Sequence, residues 1–228
     1  MIDLSTEYLG LKLKNPLVPS SSPLTGDLDS ARLLEDAGAS ALVMPSFFDE
    51  SILASEAAAV RFLHEQDLGF AEANSFLPVP DESVYLSELD EYLAYIQSLK
   101  SNLSIPVIAS LNGISSEGWT RYGKQLQEAG ADALELNVYY VAADIFESGA
   151  EVEARYVKVL RELKQHVSIP ITMKLSSQFS SGGHFVRSLQ EAGAEGVSLF
   201  NRFYQPDIDL LTREVASMNV CWAILTAG

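Results

Sequence analysis

The stretch EAGADALEL, residues 128–136, recurs as EAGAEGVSL at residues 191–199, and a third version, EDAGASALVM, occupies residues 35–44. Each copy joins the end of an amphipathic segment to a short apolar run, and Ala-Gly-Ala lies at the junction. Glycine readily adopts the left-handed conformation that ends a helix. Each copy therefore predicts a helix that ends at the glycine and a strand that begins just after it.

A second repeat marks further strands. SIPVIASLNG begins at Ser104 and SIPITMKLSS begins at Ser168, 64 residues later. Proline lacks an N–H donor, and it is tolerated at the start of a strand. Short apolar strands that alternate with amphipathic helices predict an α/β fold with a parallel sheet. The predicted strands are 16–20, 40–45, 105–111, 132–138, 169–175 and 195–200, and the predicted helices are 27–37, 50–62, 87–102, 116–129, 150–166 and 182–192.

These units suggest two architectures for a single domain over residues 1–228. One is an incomplete (β/α)8 TIM barrel with about six βα units, and the other is a doubly wound sheet of six strands. Residues 4–14 predict a short N-terminal β-hairpin before the first core strand. Residues 64–86 predict a long loop, and loops of that length in compact domains are usually functional.

Composition limits the partners of the chain. The 31 acidic and 15 basic residues give a formal net charge of −16, which repels nucleic acid and anionic membranes. Cys221 is the only cysteine, so no intramolecular disulfide can form, and a reducing cytoplasmic location is expected. The three histidines, His64, His166 and His184, have no metal-ligand spacing, so no metal site is predicted.

Polar residues collect where the predicted strands end, which is where parallel α/β sheets hold their functional sites. Strand alternation places Glu135 and Asn137 on one face and their apolar neighbours on the other. Thr172 and Lys174 likewise share a face. Because these residues follow neighbouring strands, we expect the polar set to point into a common site.

The order of several motifs resembles the dihydroorotate dehydrogenase family, particularly its soluble FMN-dependent class and related proteins. The motifs are LGLKLKNPLVPSSSP, NSFLP, IPVIASLNG, AGADALELN, PITMKLS and SLFNRF, and they cover about residues 5–205. The resemblance implies a TIM barrel, an FMN cofactor and a small anionic substrate such as dihydroorotate. It implies oxidation to orotate in pyrimidine biosynthesis, and a homodimer is a further expectation.

The resemblance also implies roles for individual residues. Lys174 matches the lysine near the pyrimidine edge of the flavin, where a cation stabilises negative charge on the reduced ring. Asn137 matches an asparagine that contacts both FMN and substrate. The further flavin-binding candidates are Ser20, Ser21, Ser22, Ser46 and Ser110, and the further substrate-binding candidates are Asn74 and Asn201.

Three positions depart from the family pattern. Tyr140 occupies the position of the catalytic base, which is cysteine or serine in the family, and an unperturbed tyrosine is a poor base near neutral pH. Pro45 stands where the family has a flavin-binding lysine, and Ala142 replaces a substrate asparagine. The altered base predicts that the native substrate differs from dihydroorotate.

Two other functions remain open. The family places glycine-rich turns for the FMN phosphate after its seventh and eighth strands, and no such turn follows residue 205. One alternative is therefore an inactive fragment or pseudoenzyme that lacks the phosphate site. Alternatively, Lys174 serves as the amine nucleophile of a Schiff-base lyase, which leaves the ELN and FNRF motifs unexplained.

Overall fold

The computed structural model describes residues 2–48, 88–112, 116–138, 140, 142, 144–201, 203–208 and 215–220. The predicted helix at 50–62, the long loop at 64–86 and Asn74 lie outside the described residues. In chain order the elements are β1 (Thr6–Tyr8), β2 (Leu11–Leu13), a 3-10 turn (Pro23–Thr25), α1 (Leu28–Asp36), β3 (Leu42–Phe48), α2 (Glu88–Asn102), β4 (Val107–Asn112), α3 (Ser116–Glu128), β5 (Ala133–Asn137), α4 (Gly149–Lys164), β6 (Ile171–Leu175), α5 (Gly182–Ala192), β7 (Gly196–Leu199), β8 (Phe203–Ile208) and β9 (Val215–Val220).

An α/β fold with one parallel sheet is confirmed. The sheet has five strands in the order β3-β4-β5-β6-β7, so its spatial order follows the chain order. A doubly wound sheet reverses its strand order part-way along the chain. No such reversal occurs among these five strands.

The predicted hairpin before the sheet is confirmed, because β1 and β2 pair antiparallel. The predicted helix ends at the repeated Ala-Gly-Ala are also confirmed. Gly38, Gly130 and Gly193 have φ values of 105°, 105° and 110°, in the left-handed region. The alanine that follows each glycine donates its N–H to a carbonyl in the last turn of the preceding helix. Each helix is thereby closed directly before the next strand.

The strand predicted at residues 16–20 is wrong. These residues form an irregular segment beside β3, and the carbonyls of Leu17 and Pro19 accept the N–H groups of Ser40 and Val43 at 2.9 and 3.0 Å. Pro16 and Pro19 have no N–H to donate, so the segment cannot form a regular ladder. The described sheet therefore has five parallel strands where six were predicted.

The two faces of the sheet pack differently. One face carries large apolar side chains such as Leu134 and Leu136, which pack with Tyr156 and Phe185 of α4 and α5. The other face carries smaller apolar residues at the amino ends of its strands, and these pack against Leu9 and Leu13 of the hairpin. The hairpin covers the amino-end half of this second face, which leaves the carboxyl-end half for polar residues.

A second hairpin follows the parallel sheet. Strands β8 and β9 pair antiparallel from Phe203↔Val220 to Ile208↔Val215. The βα repeat does not predict these strands, because they lie beyond its last copy and share none of its motifs.

Candidate functional site at the carboxyl ends of the parallel strands

Two rows of polar residues cross the second face of the sheet near the carboxyl ends of its strands. In the first polar row, Ser46, Ser110, Glu135 and Thr172 lie side by side in the register of β3 to β6. In the second polar row, two residues further along each strand, Asn112, Asn137, Lys174 and Ser198 lie side by side in β4 to β7. The predicted sharing of a face by Glu135 with Asn137 and by Thr172 with Lys174 is confirmed, because side chains two apart point to one face of a strand.

An ion pair joins the two rows. Lys174 Nζ lies 3.2 Å from Glu135 Oε1, and the two side chains are 13% and 4% exposed. Ser110 Oγ donates to the same carboxylate oxygen at 3.3 Å, and Ser198 Oγ donates to Oε2 at 3.2 Å. A buried carboxylate is costly without partners, and here both of its oxygens have them.

The serine side chains form a connected line toward Glu135. Ser46 Oγ lies 2.8 Å from Ser110 Oγ, and Ser21 Oγ lies 3.5 Å from Ser46 Oγ. Ser21 Oγ also accepts the Ser46 N–H at 3.1 Å. The segment before α1 therefore contributes to the same polar surface as the strands.

Two tyrosines support the first polar row. Tyr8 of the hairpin donates its hydroxyl to Thr172 Oγ1 at 2.9 Å, and burial raises the pKa of this phenol. Tyr92 of α2 donates to the Pro45 carbonyl at 2.8 Å and accepts the Ser110 N–H at 3.2 Å. Burial raises the pKa of the Tyr92 phenol. Both tyrosines therefore remain hydrogen-bond donors across the physiological pH range.

Asn137 and Asn201, which the family resemblance assigns to the site, are in contact. Asn201 Nδ2 donates to Asn137 Oδ1 at 2.7 Å, and the Asn201 N–H donates to the Leu175 carbonyl at 2.7 Å. Asn137 is 7% exposed. This contact leaves the Nδ2 group of Asn137 to act as a donor in the second polar row.

The other candidate flavin contacts are less uniform. Ser21, Ser46 and Ser110 belong to the connected line of hydroxyls described above. Ser20 is exposed, and Ser22 is joined to the 3-10 turn because its N–H and carbonyl both bond the Thr25 hydroxyl. The structure therefore brings three of the five candidate serines together.

Pro45 lies at an irregularity of the sheet. The register between β3 and β4 shifts between Val43 and Ser46. Because proline cannot donate to a ladder, it is accommodated at bulges. At Pro45, where the resemblance places a lysine, the carbonyl accepts the Tyr92 hydroxyl.

Tyr140 has partners outside the two polar rows. Its hydroxyl donates to Glu147 Oε2 at 2.6 Å, and the Arg155 guanidinium lies 4.0 Å from the centre of its ring. Arg155 also forms an ion pair with Glu147. These contacts tie the residue in the base position to the start of α4.

The sequence motifs assign no role to Ser198, which binds Glu135 and lies beside Lys174 in the second polar row. A signal was present, because Ser198 and Gly196 share a face by strand alternation and Ser198 occupies the repeat position of Glu135. The described residues contain no group of three or more histidine, cysteine or acidic residues arranged to hold a metal ion. Among the same residues, no helix is both long enough and apolar enough to span a membrane.

Comparisons with known proteins agree with the motifs. No family model matches the chain. The NAD-dependent dihydropyrimidine dehydrogenase subunit PreA of Escherichia coli K12 is 28% identical over 211 residues, which are 87% of this chain and 48% of PreA. Dihydroorotate dehydrogenase A (fumarate) of Lactobacillus delbrueckii subsp. bulgaricus is 25% identical over 219 residues, 94% of this chain and 68% of that enzyme. The chain is a relative of the dihydroorotate dehydrogenases.

The catalytic subunit of dihydroorotate dehydrogenase B (NAD(+)) from Thermoplasma acidophilum is 28% identical over 225 residues, 93% of this chain and 67% of that subunit. The chain thus spans about half the length of PreA and about two thirds of the dihydroorotate dehydrogenases that it matches. Among solved structures, 2,3-dimethylmalate lyase has 19% identity and a TM-score of 0.46, with 79% of this chain and 55% of that chain covered.

Proposed function

We propose that this protein is an FMN-dependent oxidoreductase of the dihydroorotate dehydrogenase type, with its flavin at the two polar rows. The observation that carries the proposal is the adjacency of Asn137 and Lys174 in the second polar row of a chain related to these dehydrogenases. Both residues match family positions, and both lie where parallel α/β sheets bind ligands.

We further propose that residues 1–228 form one domain, an incomplete (β/α)8 barrel. The sequential strand order supports this architecture, as does the packing of helices on one face and of the hairpin on the other. In a barrel the second face becomes the interior. The polar rows then lie at the carboxyl-end mouth, where barrel enzymes hold their sites.

The residues of the two rows fit the ring system of FMN. A flavin ring needs room for a flat aromatic surface and hydrogen-bonding partners along its pyrimidine edge. Ser21 and Ser46 are small, half-buried hydroxyl residues at the strand ends, Ser110 is fully buried, and Lys174 and Asn137 supply cationic and amide donors. FMN, when bound, supplies a ring that accepts a hydride from the substrate.

The chain's own residues then hold and orient the reactants. Lys174 would lie at the pyrimidine edge of the bound ring and would stabilise negative charge there. Asn137 donates through Nδ2, and its Oδ1 is held by Asn201. Asn74 and Asn201 are further candidate contacts of a small anionic substrate such as dihydroorotate.

Tyr140 stands where the family resemblance places the catalytic base, and its hydrogen bond limits the proton transfer that it can perform. Its one hydroxyl proton is donated to Glu147, so this hydroxyl meets a ligand only through its lone pairs, and it differs from the cysteine or serine that the resemblance places in the base position. We therefore propose that the native substrate differs from dihydroorotate in the proton transfer that it requires. A place in pyrimidine biosynthesis, a homodimer and a cytoplasmic location stay predictions.

Reconstitution with FMN tests the proposal. The purified chain is incubated with FMN, separated from free cofactor and examined for the visible absorbance of flavin. We expect retained flavin that is bleached anaerobically by a cyclic dihydropyrimidine, more readily by dihydrouracil than by dihydroorotate. A chain that retains no flavin would refute the proposal.

A pseudoenzyme is the alternative that the Tyr140 contacts favour. If the chain retains FMN but none of these substrates reduces it, while dithionite does, the pocket binds flavin without the family's chemistry. If the chain binds no FMN, the result supports an inactive fragment or pseudoenzyme that lacks the FMN phosphate site.

A further inference from the structure

Glu135 is the most deeply buried charged residue among those described, and the proposed chemistry gives it no task. It lies in the middle strand of the sheet, and its side chain is 4% exposed. Placing a carboxylate there requires compensation by a cation and by hydrogen bonds. An apolar residue at this position would avoid that cost, so the carboxylate calls for a functional explanation.

The three groups that bind Glu135 come from three other strands. Ser110 and Lys174 donate to Oε1 from β4 and β6, and Ser198 donates to Oε2 from β7. Each donor belongs to one of the two polar rows. Glu135 is therefore the point at which the two rows are joined.

Glu135 also fixes the direction of the hydroxyl line. A serine hydroxyl has one proton, and Ser110 gives its proton to the carboxylate. In the 2.8 Å contact between Ser46 and Ser110, Ser46 must then be the donor. Ser46 therefore presents only the lone pairs of its oxygen to a ligand and acts as a hydrogen-bond acceptor.

The ion pair likewise determines which ligand group suits Lys174. The pair carries no net charge when both residues are ionised, so it attracts a permanent anion weakly. A polar ligand atom that is neutral at rest and gains negative charge during reaction can still draw on the nearby cation. This behaviour matches a ring carbonyl or ring nitrogen of a reducible heterocycle better than a carboxylate.

We propose that Glu135 is a positioning residue that holds Lys174 in the second polar row and, through Ser110, turns Ser46 into an acceptor. Lys174 thereby meets a neutral polar atom of the ligand ring, and the substrate's permanent anionic group binds elsewhere. The ligand-ring part of this inference rests on the proposed flavin function. The holding of Lys174 by Glu135 does not depend on it.

The first test measures how well Lys174 is held in the full chain without FMN. Lysines are labelled with a low dose of acetic anhydride, and the extent of labelling at each site is measured by peptide mass spectrometry. In Glu135→Gln we expect labelling of Lys174 to rise threefold or more, with Lys164 unchanged. Lys164 pairs with Glu195 at 2.6 Å, so Glu195→Gln is the matched control and should affect Lys164 alone.

Two further results guard against general loosening. A variant that is partly unfolded would label many lysines faster, so the rise must be confined to Lys174. Glu135→Asp keeps the charge on a shorter side chain and should restore at least half of the protection. Labelling of Lys174 in Glu135→Gln at the wild-type level would overturn the proposal.

The second test addresses the ligand. Glu135→Gln adds one net positive charge to the site, so the midpoint potential of bound FMN should shift upward, while Glu195→Gln should leave it unchanged. An unchanged potential in Glu135→Gln would contradict the role toward the ring. Failure of the wild-type chain to bind FMN would refute the proposed function, while the labelling result would still decide whether Glu135 holds Lys174.

Discussion

The two ends of the parallel sheet use the same residue types for different purposes. At the amino end, Lys100 pairs with Asp132 at 2.7 Å and Lys164 pairs with Glu195 at 2.6 Å. Each carboxylate also accepts a backbone N–H from the start of the neighbouring strand. The two pairs occupy equivalent positions of the sequence repeat, so they are a structural feature of the βα unit.

The carboxyl end departs from this repetition. The repeat position of Lys174 in the preceding unit is Ser110, and the repeat position of Glu135 in the following unit is Ser198. All four side chains meet at the Glu135 carboxylate. Repetition therefore marks the end of the sheet that maintains the fold, and divergence from the repeat marks the end that forms the candidate site.

Removal of the carboxylate should lower the free energy of unfolding more for the pair at the carboxyl end than for a pair at the amino end, and this is the largest difference that we expect. Glu135→Ala leaves Lys174 without its buried counter-charge, and we expect a loss of about 3 kcal/mol in the free energy of unfolding. Glu195→Ala breaks a pair of which the carboxylate is 41% exposed and removes the acceptor of the Ile171 N–H, so its loss should stay below about 2 kcal/mol. Urea denaturation of both variants measures the two losses. Equal losses would remove the distinction between the two ends.

Neutralisation of the lysines tests which end binds the cofactor. Lys174→Met keeps most of the side-chain length and removes the charge, so we expect at least about tenfold weaker FMN binding, the effect of one lost charged hydrogen bond. Lys164→Met should bind FMN as the wild type does. Fluorescence quenching during titration provides both dissociation constants, and equal weakening in the two variants would contradict the assignment.

A smaller effect is expected where the chain leaves the sheet. Tyr140→Phe removes the hydrogen bond to Glu147 and keeps the ring beside Arg155. Its cost should be about 1 kcal/mol of unfolding free energy. Glu147→Gln in the Tyr140→Phe background should add less than it does alone, because the two residues are coupled. Additive losses would show that the contact is not formed in solution.

Alkaline pH should produce the weakest of these effects. Burial raises the pKa of Tyr95 to about 12, and its hydroxyl donates to the Thr25 carbonyl at 3.0 Å. A raised pKa in the folded state means that this contribution to stability is complete below pH of about 10 and is lost as the pH rises toward 12. The urea midpoint should fall over this range and fall less in Tyr95→Phe. An equal fall in the variant would assign it to other groups.

Much of the fold follows from local sequence. The glycines of the repeat determine where helices end, and strand alternation is enough to place Glu135 with Asn137, and Thr172 with Lys174, on one face of their strands. These predictions succeed because they depend on conformational preferences of a few neighbouring residues.

Other features depend on contacts between distant segments. Residues 16–20 are apolar enough for a strand, but two prolines and the course of β3 decide their conformation. The contact of Tyr140 with Glu147 and Arg155 arises in a connection whose course no periodic pattern describes. The departures from the family pattern accordingly lie at Tyr140 and Ala142, in the segment that follows β5, and at Pro45, where the register of β3 shifts.

Hydrogen exchange with and without FMN tests the central claim most directly, that the carboxyl end of the sheet binds the flavin and the amino end does not. Exchange is followed by mass spectrometry in peptides that cover the strand ends. We expect slower exchange on FMN addition in residues 108–112, 134–138 and 172–176, with no change in residues 100–106 and 164–170. Protection at the amino end, or unchanged exchange at the carboxyl end, would contradict it.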